Sequence, residues 1–151
     1  MPSQPDQQPV IVRPGDGASY RTPYGDVLAW IAGGSDTNGG FSLHERTAPP
    51  GSRSTPHAHH RLVEAFCVLE GKLQFAVGGE RVAAVSGTFV LAPKGVQHAW
   101  HNATDRPARA LVFFSPPAER GYFEEMHAIM ERPGAPDVDA LQALNATYGW
   151  A

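Results

Sequence analysis

Turn-forming residues divide most of the chain into short segments. The 151 residues include 16 glycines and 14 prolines, and these are spread along the sequence. In the segment 72–77, Leu73, Phe75 and Val77 share one face and Lys72, Gln74 and Ala76 the other, and the Gly78-Gly79 pair that follows is typical of a two-residue hairpin turn. Short strands joined by such turns about every ten residues predict an antiparallel β-sandwich or β-barrel.

The same pattern gives a strand-by-strand prediction up to the Pro116-Pro117 pair. We expect strands at 10–13, 26–32, 41–47, 63–69, 72–77, 80–85, 88–92, 98–102 and 109–114. Beyond that pair the apolar period becomes helical, which predicts one helix over 118–132 and a second one capped by Asp137 or Asp139. These helices are expected to cover an open end or a flank of the barrel.

Three regions follow from this reading. Residues 1–9 are rich in Gln and Pro and are expected to form a disordered tail, without the basic and apolar parts of a secretory signal. Residues 10–116 would form the β-barrel, and residues 117–151 a helical extension packed on it. One domain is the appropriate number for a chain of this length.

Composition excludes several classes of function. The formal net charge is -3 and no run of Lys or Arg is present, so nucleic acid is not an expected partner. No apolar run approaches the ~20 residues of a membrane-spanning helix. The single cysteine, Cys67, rules out an internal disulfide and a Cys-rich zinc site. A cytoplasmic protein that acts on a small molecule agrees best with these observations.

Three histidines and one glutamate could converge on a single point. His57 and His59 lie two residues apart, so on an extended segment both side chains project to one face. Glu64 has the wrong parity for that face, and we expect a bend or bulge around 60–62 to correct it. His98 would reach the same point from a separate strand across the barrel.

Such a donor set indicates a transition-metal site. Three imidazole nitrogens and one carboxylate suit divalent iron, manganese, nickel, copper, cobalt or zinc, and the sequence does not distinguish among them. Four protein ligands on an octahedral ion leave two positions open for a substrate or dioxygen. The remaining histidines are expected to be ordinary core or surface residues, although His44 could line the cavity and contact a substrate.

Two spaced motifs resemble the conserved motifs of the cupin superfamily. The first runs Gly51-x5-His57-x-His59-x4-Glu64-x6-Gly71, and the second runs Gly87-x5-Pro93-x-Gly95-x2-His98-x3-Asn102. The resemblance covers residues 48–115 and implies an all-β double-stranded β-helix, the cupin barrel or jelly roll, with a short C-terminal α-helical extension. It implies that His57, His59, Glu64 and His98 are the metal ligands, and that Asn102 is a turn residue outside the coordination sphere.

The tail narrows the resemblance to small quercetin-dioxygenase-like cupins of bacteria. That resemblance implies oxidation of an enolic or phenolic small molecule, with dioxygen as co-substrate and Glu64 as both ligand and catalytic base. Side chains expected to form the wall of the substrate cavity are Phe66, Val68, Phe75, Phe89 and Trp100. The resemblance also favours a homodimer.

Two other classes of function remain open on sequence alone. The same ion could act as a Lewis acid in an isomerase, cyclase, decarboxylase or lyase, without oxidation. The barrel could also be a non-catalytic module that binds a small molecule. Dependence of turnover on oxygen separates the first class from a dioxygenase.

Overall fold

The computed structural model describes residues 7–150, so most of the expected disordered tail lies outside the described residues. The strand expected at 10–13 is absent, because residues 7–18 contain no helix or strand. Val10, Ile11 and Val12 are exposed, at 49%, 74% and 37% of their surface, and pair with no neighbouring strand. Three apolar residues were therefore a poor predictor of a strand in this segment.

Nine strands and two helices account for the regular structure of residues 7–150. The strands are β1 (Ser19–Arg21), β2 (Val27–Ala32), β3 (Ser42–Ala48), β4 (Val63–Glu70), β5 (Lys72–Val77), β6 (Glu80–Val85), β7 (Phe89–Ala92), β8 (His98–His101) and β9 (Ala108–Ser115). The helices are α1 (Arg120–Met130) and α2 (Val138–Tyr148). Apart from the segment at 10–13, each predicted element is present within two residues of its expected start and end.

The strands form two antiparallel sheets that pack face to face. The larger sheet has the order β1-β2-β3-β9-β4-β7, and the smaller has the order β6-β5-β8. Strict alternation directs one side of each strand into the core: on β9, the residues at 108, 110, 112 and 114 are at most 2% exposed. The fold is a double-stranded β-helix, as the resemblance of the two motifs implied, and its sheets are antiparallel, as the strand pattern predicted.

The segment before β4 is more ordered than its Pro and Gly content suggested. The sequence predicts no strand between 47 and 63, but residues 51–57 run antiparallel to β8. His57 N–H donates to the His98 carbonyl at 3.0 Å, and His98 N–H donates to the His57 carbonyl at 2.8 Å. Ser54 N–H donates to the Trp100 carbonyl at 3.0 Å. This segment therefore extends the smaller sheet beyond β8.

The two helices pack their apolar sides on one flank of the barrel. Asp137 caps α2, since its carboxylate accepts a hydrogen bond from Ala140 N–H at 3.0 Å. The chain leaves α2 at Gly149, whose φ of 70° is the left-handed conformation that ends many helices. Neither of the two helices formed by residues 7–150 has the length and apolar character needed to cross a bilayer.

Gly71 occupies the tight connection between β4 and β5. Its φ is 74°, and a Cβ atom there would lie 2.7 Å from the Pro107 carbonyl oxygen and 3.0 Å from Ala108 Cα. Both neighbours are backbone atoms and cannot move aside without shifting the strand. Gly79, in the β5-β6 hairpin, has a φ of 88° but no atom within 4 Å of such a Cβ.

This pair of glycines gives a stability prediction with a matched control. We expect Gly71→Ala to lower the free energy of unfolding by about 3 kcal/mol, and Gly79→Ala by about 1 kcal/mol. The second change carries only the cost of a positive φ, whereas the first adds a backbone clash. Urea denaturation followed by tryptophan fluorescence measures both. If both variants lost the same free energy of unfolding, the close backbone approach at Gly71 would add nothing to the cost of the substitution.

Candidate metal centre

The structure brings together His57, His59, Glu64 and His98. One ligand atom from each of these residues lies within 4.8 Å of the others. Glu64 Oε2 is 2.8 Å from His98 Nε2, 3.0 Å from His59 Nε2 and 3.7 Å from His57 Nε2. The four residues reach one point because the segment before β4, β4 itself and β8 meet there.

Backbone geometry places each ligand as the spacing suggested. The chain bends at His60 and Arg61, which brings Glu64, on β4, to the side of the preceding imidazoles. Gly95 N–H donates to the His59 carbonyl at 2.8 Å, and its φ of 77° forms the turn that leads into β8. His98 begins that strand and faces inward with 3% exposure.

Two backbone carbonyls orient the imidazole rings. His57 Nδ1 lies 2.8 Å from the Thr55 carbonyl oxygen, and His98 Nδ1 lies 3.0 Å from the Val96 carbonyl oxygen. Because a carbonyl only accepts hydrogen bonds, each Nδ1 must carry a proton and donate it. Nε2 is then the atom that each ring presents to the centre, which is the arrangement by which protein carbonyls support metal-binding histidines.

Without an ion, the four side chains form a charged hydrogen-bonded cluster. Burial alone would raise the pKa of Glu64, but hydrogen bonds from His57, His59 and His98 hold it well below its ordinary value. Burial likewise opposes the charged form of His98, but the hydrogen bond and charge of Glu64 outweigh it and raise the pKa of His98. The proton of the closest pair therefore lies on His98.

This cluster fits a divalent transition ion. The donor atoms are of the nitrogen and oxygen types that such ions prefer, they converge, and two rings already present Nε2. His98 carries a proton next to the buried carboxylate of Glu64. A bound ion could displace this proton and supply the positive charge in its place. No cysteine takes part, since Cys67 lies elsewhere on β4.

A cavity of about 150 Å³ opens onto His57, His59 and Glu64. The barrel and both helices contribute to its wall. The other lining residues are Thr22, Tyr24, Leu28, Arg46, Thr55, Pro56, Trp100, Phe114, Tyr122, Phe123, Met126, Asn145 and Trp150. The wall is mainly apolar and aromatic, as in sites that bind small molecules.

Of the residues expected in this wall, Trp100 lines the cavity and the others lie elsewhere. Phe66, Val68 and Phe75 belong to the packed core, with 1%, 1% and 2% exposure. Phe89 is 63% exposed on the outer surface, because it pairs with Cys67 on the outward side of the larger sheet. Alternation predicted which residues share a face, but not which face is the inner one.

His44 is buried beside the cavity and is not part of its lining. Its ring stacks on Trp30 with a centroid distance of 6.3 Å and contacts Phe114 and Phe123. Burial, with a smaller effect of the Arg46 charge, lowers the pKa of His44 to about 3. The imidazole is therefore neutral, and within residues 7–150 neither of its nitrogens has a hydrogen-bond partner.

Sequence reasoning missed the contribution of the C-terminal extension to the cavity. The indole of Trp150 lies 4.7 Å from the His59 ring, between centroids, and stacks on Tyr122 at 4.3 Å. Asn145 accepts a hydrogen bond from the Tyr122 hydroxyl at 2.8 Å. Burial raises the pKa of Tyr122, so this phenol stays protonated. The helices close the cavity as well as cover the barrel.

Comparison with known proteins agrees with this geometry. The cupin domain family matches residues 44–114, the stretch that contains all four clustered side chains. An uncharacterised protein of Streptomyces coelicolor is 32% identical over 82 residues, which cover 54% of this chain and 74% of that protein. The chain belongs to the cupin superfamily.

This cupin is also similar to one curated protein and one solved structure whose names state an activity. Quercetin 2,3-dioxygenase of Bacillus subtilis is 28% identical over 102 residues, which are 67% of this chain but only 30% of the dioxygenase. A solved structure of a predicted oxalate decarboxylase from Thermotoga maritima superposes with a TM-score of 0.65 at 19% identity, covering 70% of this chain and 97% of that one. The second likeness shows the fold alone.

Removal of an imidazole tests the ligand assignment. We expect His57→Ala and His59→Ala to lose stoichiometric metal while the barrel remains folded, because each removes one of four converging donors. The matched control is His60→Ala, which changes an exposed neighbour. Elemental analysis measures metal content, and circular dichroism checks folding. Full metal content in both His57→Ala and His59→Ala would contradict the assignment.

Acidification should release the ion. Because Glu64 raises the pKa of His98, an ion must displace a proton from that ring, and lower pH favours the proton. We therefore expect metal affinity to fall from about pH 7 to about pH 4, with proton release on binding near neutral pH. Calorimetry in buffers of different ionisation enthalpy counts the protons. Constant metal occupancy over that range would argue against a three-histidine site.

Proposed function

We propose that this cupin is a metal-dependent oxidoreductase that uses dioxygen to oxidise a small enolic or phenolic molecule. The observation that carries the proposal is the position of the four converging donors, three of which line a cavity rich in apolar and aromatic side chains. Four ligands leave room on an octahedral ion for two more groups, as a reaction between substrate and dioxygen requires. The similarity to quercetin 2,3-dioxygenase supports this choice of chemistry.

The cavity limits the size of the substrate. Its volume of about 150 Å³ is about half of the roughly 300 Å³ at which pockets for drug-sized ligands begin. We therefore propose a substrate smaller than quercetin, such as a β-diketone or a catechol.

A bound divalent ion would lower the pKa of an enol or phenol hydroxyl and hold it next to dioxygen. Glu64 would accept the released proton. Its carboxylate is a weak base, since hydrogen bonds from three imidazoles keep its pKa low, so it depends on an acidified substrate. Trp100, Phe114 and Trp150 would exclude water and position the substrate ring.

A non-oxidative reaction is the second candidate. The same donors could hold an ion that polarises a carbonyl, as an isomerase, cyclase, decarboxylase or lyase requires. The four converging donors, which could hold such an ion, favour this candidate over a purely binding module. Its substrates would meet the same limit of cavity size.

Oxygen uptake decides between these candidates. The protein would be purified without chelator or nickel affinity resin, analysed for metals, and tested in an oxygen electrode against β-diketones, catechols and flavonols. We expect uptake with the small substrates, little with flavonols, and at least about a hundredfold loss in His57→Ala, with His60→Ala unchanged. Full turnover in an anaerobic chamber would overturn the dioxygenase proposal in favour of the non-oxidative one.

Native metal, cellular location and oligomeric state stay predictions. The donor set agrees with iron, manganese, nickel, copper, cobalt or zinc. Free Cys67, half-buried on β4, agrees with a reducing cytoplasm. Phe89 and Leu91, which are 63% and 43% exposed on the edge strand β7, agree with a homodimer that covers them.

A further inference from the structure

Arg46 is a charged side chain buried in the wall of the cavity. It lies on β3, two residues after His44, and faces the barrel interior with 7% exposure. It lines the same cavity as His57, His59 and Glu64. Arginine is almost never buried unless its charge and its donors are matched.

The protein matches the charge of Arg46 but not all of its donors. Arg46 Nη1 donates to Asp26 Oδ2 at 2.6 Å, and Asp26 is only 1% exposed. The guanidinium lies over the ring of Trp100, 4.7 Å from the centroid, which fixes its plane. Within residues 7–150, however, Arg46 Nε is buried and has no hydrogen-bond partner. A buried donor without an acceptor costs free energy, and a ligand in the cavity could supply the acceptor.

The charge balance of the cavity also favours an anion. Arg46 and Asp26 cancel each other, and a divalent ion exceeds the single negative charge of Glu64. The loaded cavity would then carry a net charge of about +1 in a low-dielectric environment. A neutral ligand would leave that charge uncompensated, whereas a carboxylate or enolate would balance it.

We propose that Arg46 is the anion-binding residue of this cavity, and that the substrate is a small carboxylic acid whose enolic end faces the four metal-binding residues. The inference rests on the proposed function, because it assigns the substrate class of the same site. The guanidinium suits a carboxylate, since its planar array of donors matches two carboxylate oxygens. Trp100 holds the guanidinium in place, and Asp26 keeps it from binding anions too tightly when the cavity lacks substrate.

A matched pair of probes tests this assignment. Acetylpyruvate carries a β-diketone and a carboxylate, and hexane-2,4-dione carries the same β-diketone without the charge. Calorimetry on zinc-loaded protein gives both affinities without turnover, and NMR of ¹⁵N-labelled protein follows the Arg46 Nε–H signal. We expect acetylpyruvate to bind about ten- to a hundredfold more tightly than the dione and to shift that signal.

Three variants separate binding from structural support. The double variant Arg46→Gln/Asp26→Asn removes both charges, because removal of Arg46 alone would leave a buried carboxylate unpaired. It should bind the dione as before and lose the preference for acetylpyruvate. Asp26→Asn alone removes the competing anion and should strengthen that preference. The control is Arg109→Gln, which removes a half-exposed positive charge on the outer face and should change neither affinity.

The outcomes distinguish this inference from the proposed function. Equal affinity for the two probes in a protein with stoichiometric zinc would overturn the role of Arg46 and leave the metal site intact. A preference for acetylpyruvate that persists in the double variant would also overturn the role of Arg46. If the native protein fails to hold metal, the proposed function fails. A shift of the Arg46 Nε–H signal by acetylpyruvate in that protein would still support the anion site, and no shift would overturn it.

Discussion

The contact on which the site depends is the buried carboxylate of Glu64 among three imidazoles. A lone carboxylate at 3% exposure would lose its hydration and take up a proton. The Nε2 atoms of the three histidines lie within 3.7 Å of Glu64 Oε2 and keep the carboxylate ionised. Backbone holds three of these groups in place. Carbonyls and mutual strand pairing hold His57 and His98, and Glu64 lies near the start of β4, between its strand partners Ala92 and Phe114.

Much of the barrel was predictable because its strands obey a simple period. Segments 72–77 and 80–85 lie between glycine turns, so their limits agree with the sequence prediction, and burial alternates along 72–77. The convergence of His57, His59 and Glu64 was predictable for a related reason, since an i, i+2 spacing and a bend before Glu64 are local geometry. His98 comes from a distant strand, and the motif resemblance supported its place in the cluster. Alternation does not tell which face of a strand is the inner one. For this reason Phe89 was wrongly expected in the cavity wall, although it lies on the outer surface.

The positions of Arg46 and Trp150 depend on contacts that local sequence patterns do not predict. Arg46 shares the parity of His44, so the interpretation of His44 as a cavity residue could have been extended to it; the charge of an arginine argued for the surface instead. Its burial depends on Asp26, 20 positions earlier, and on Trp100 from the opposite sheet. No local sequence pattern predicted that Trp150 would lie in the cavity wall. Its contact with His59 joins residues 91 positions apart, and arises only from the way α2 packs on the barrel.

The barrel and the helical extension therefore determine different properties of the site. The barrel supplies the four converging donors and the charge of Arg46, so it determines which groups can bind and what chemistry an ion could support. Tyr122, Met126 and Trp150 from the extension determine how much space remains beside those ligands. A cupin barrel with the same ligands and a different extension could hold a larger molecule. The limit on substrate size is thus a property of packing, and it need not follow the identity of the metal or the reaction.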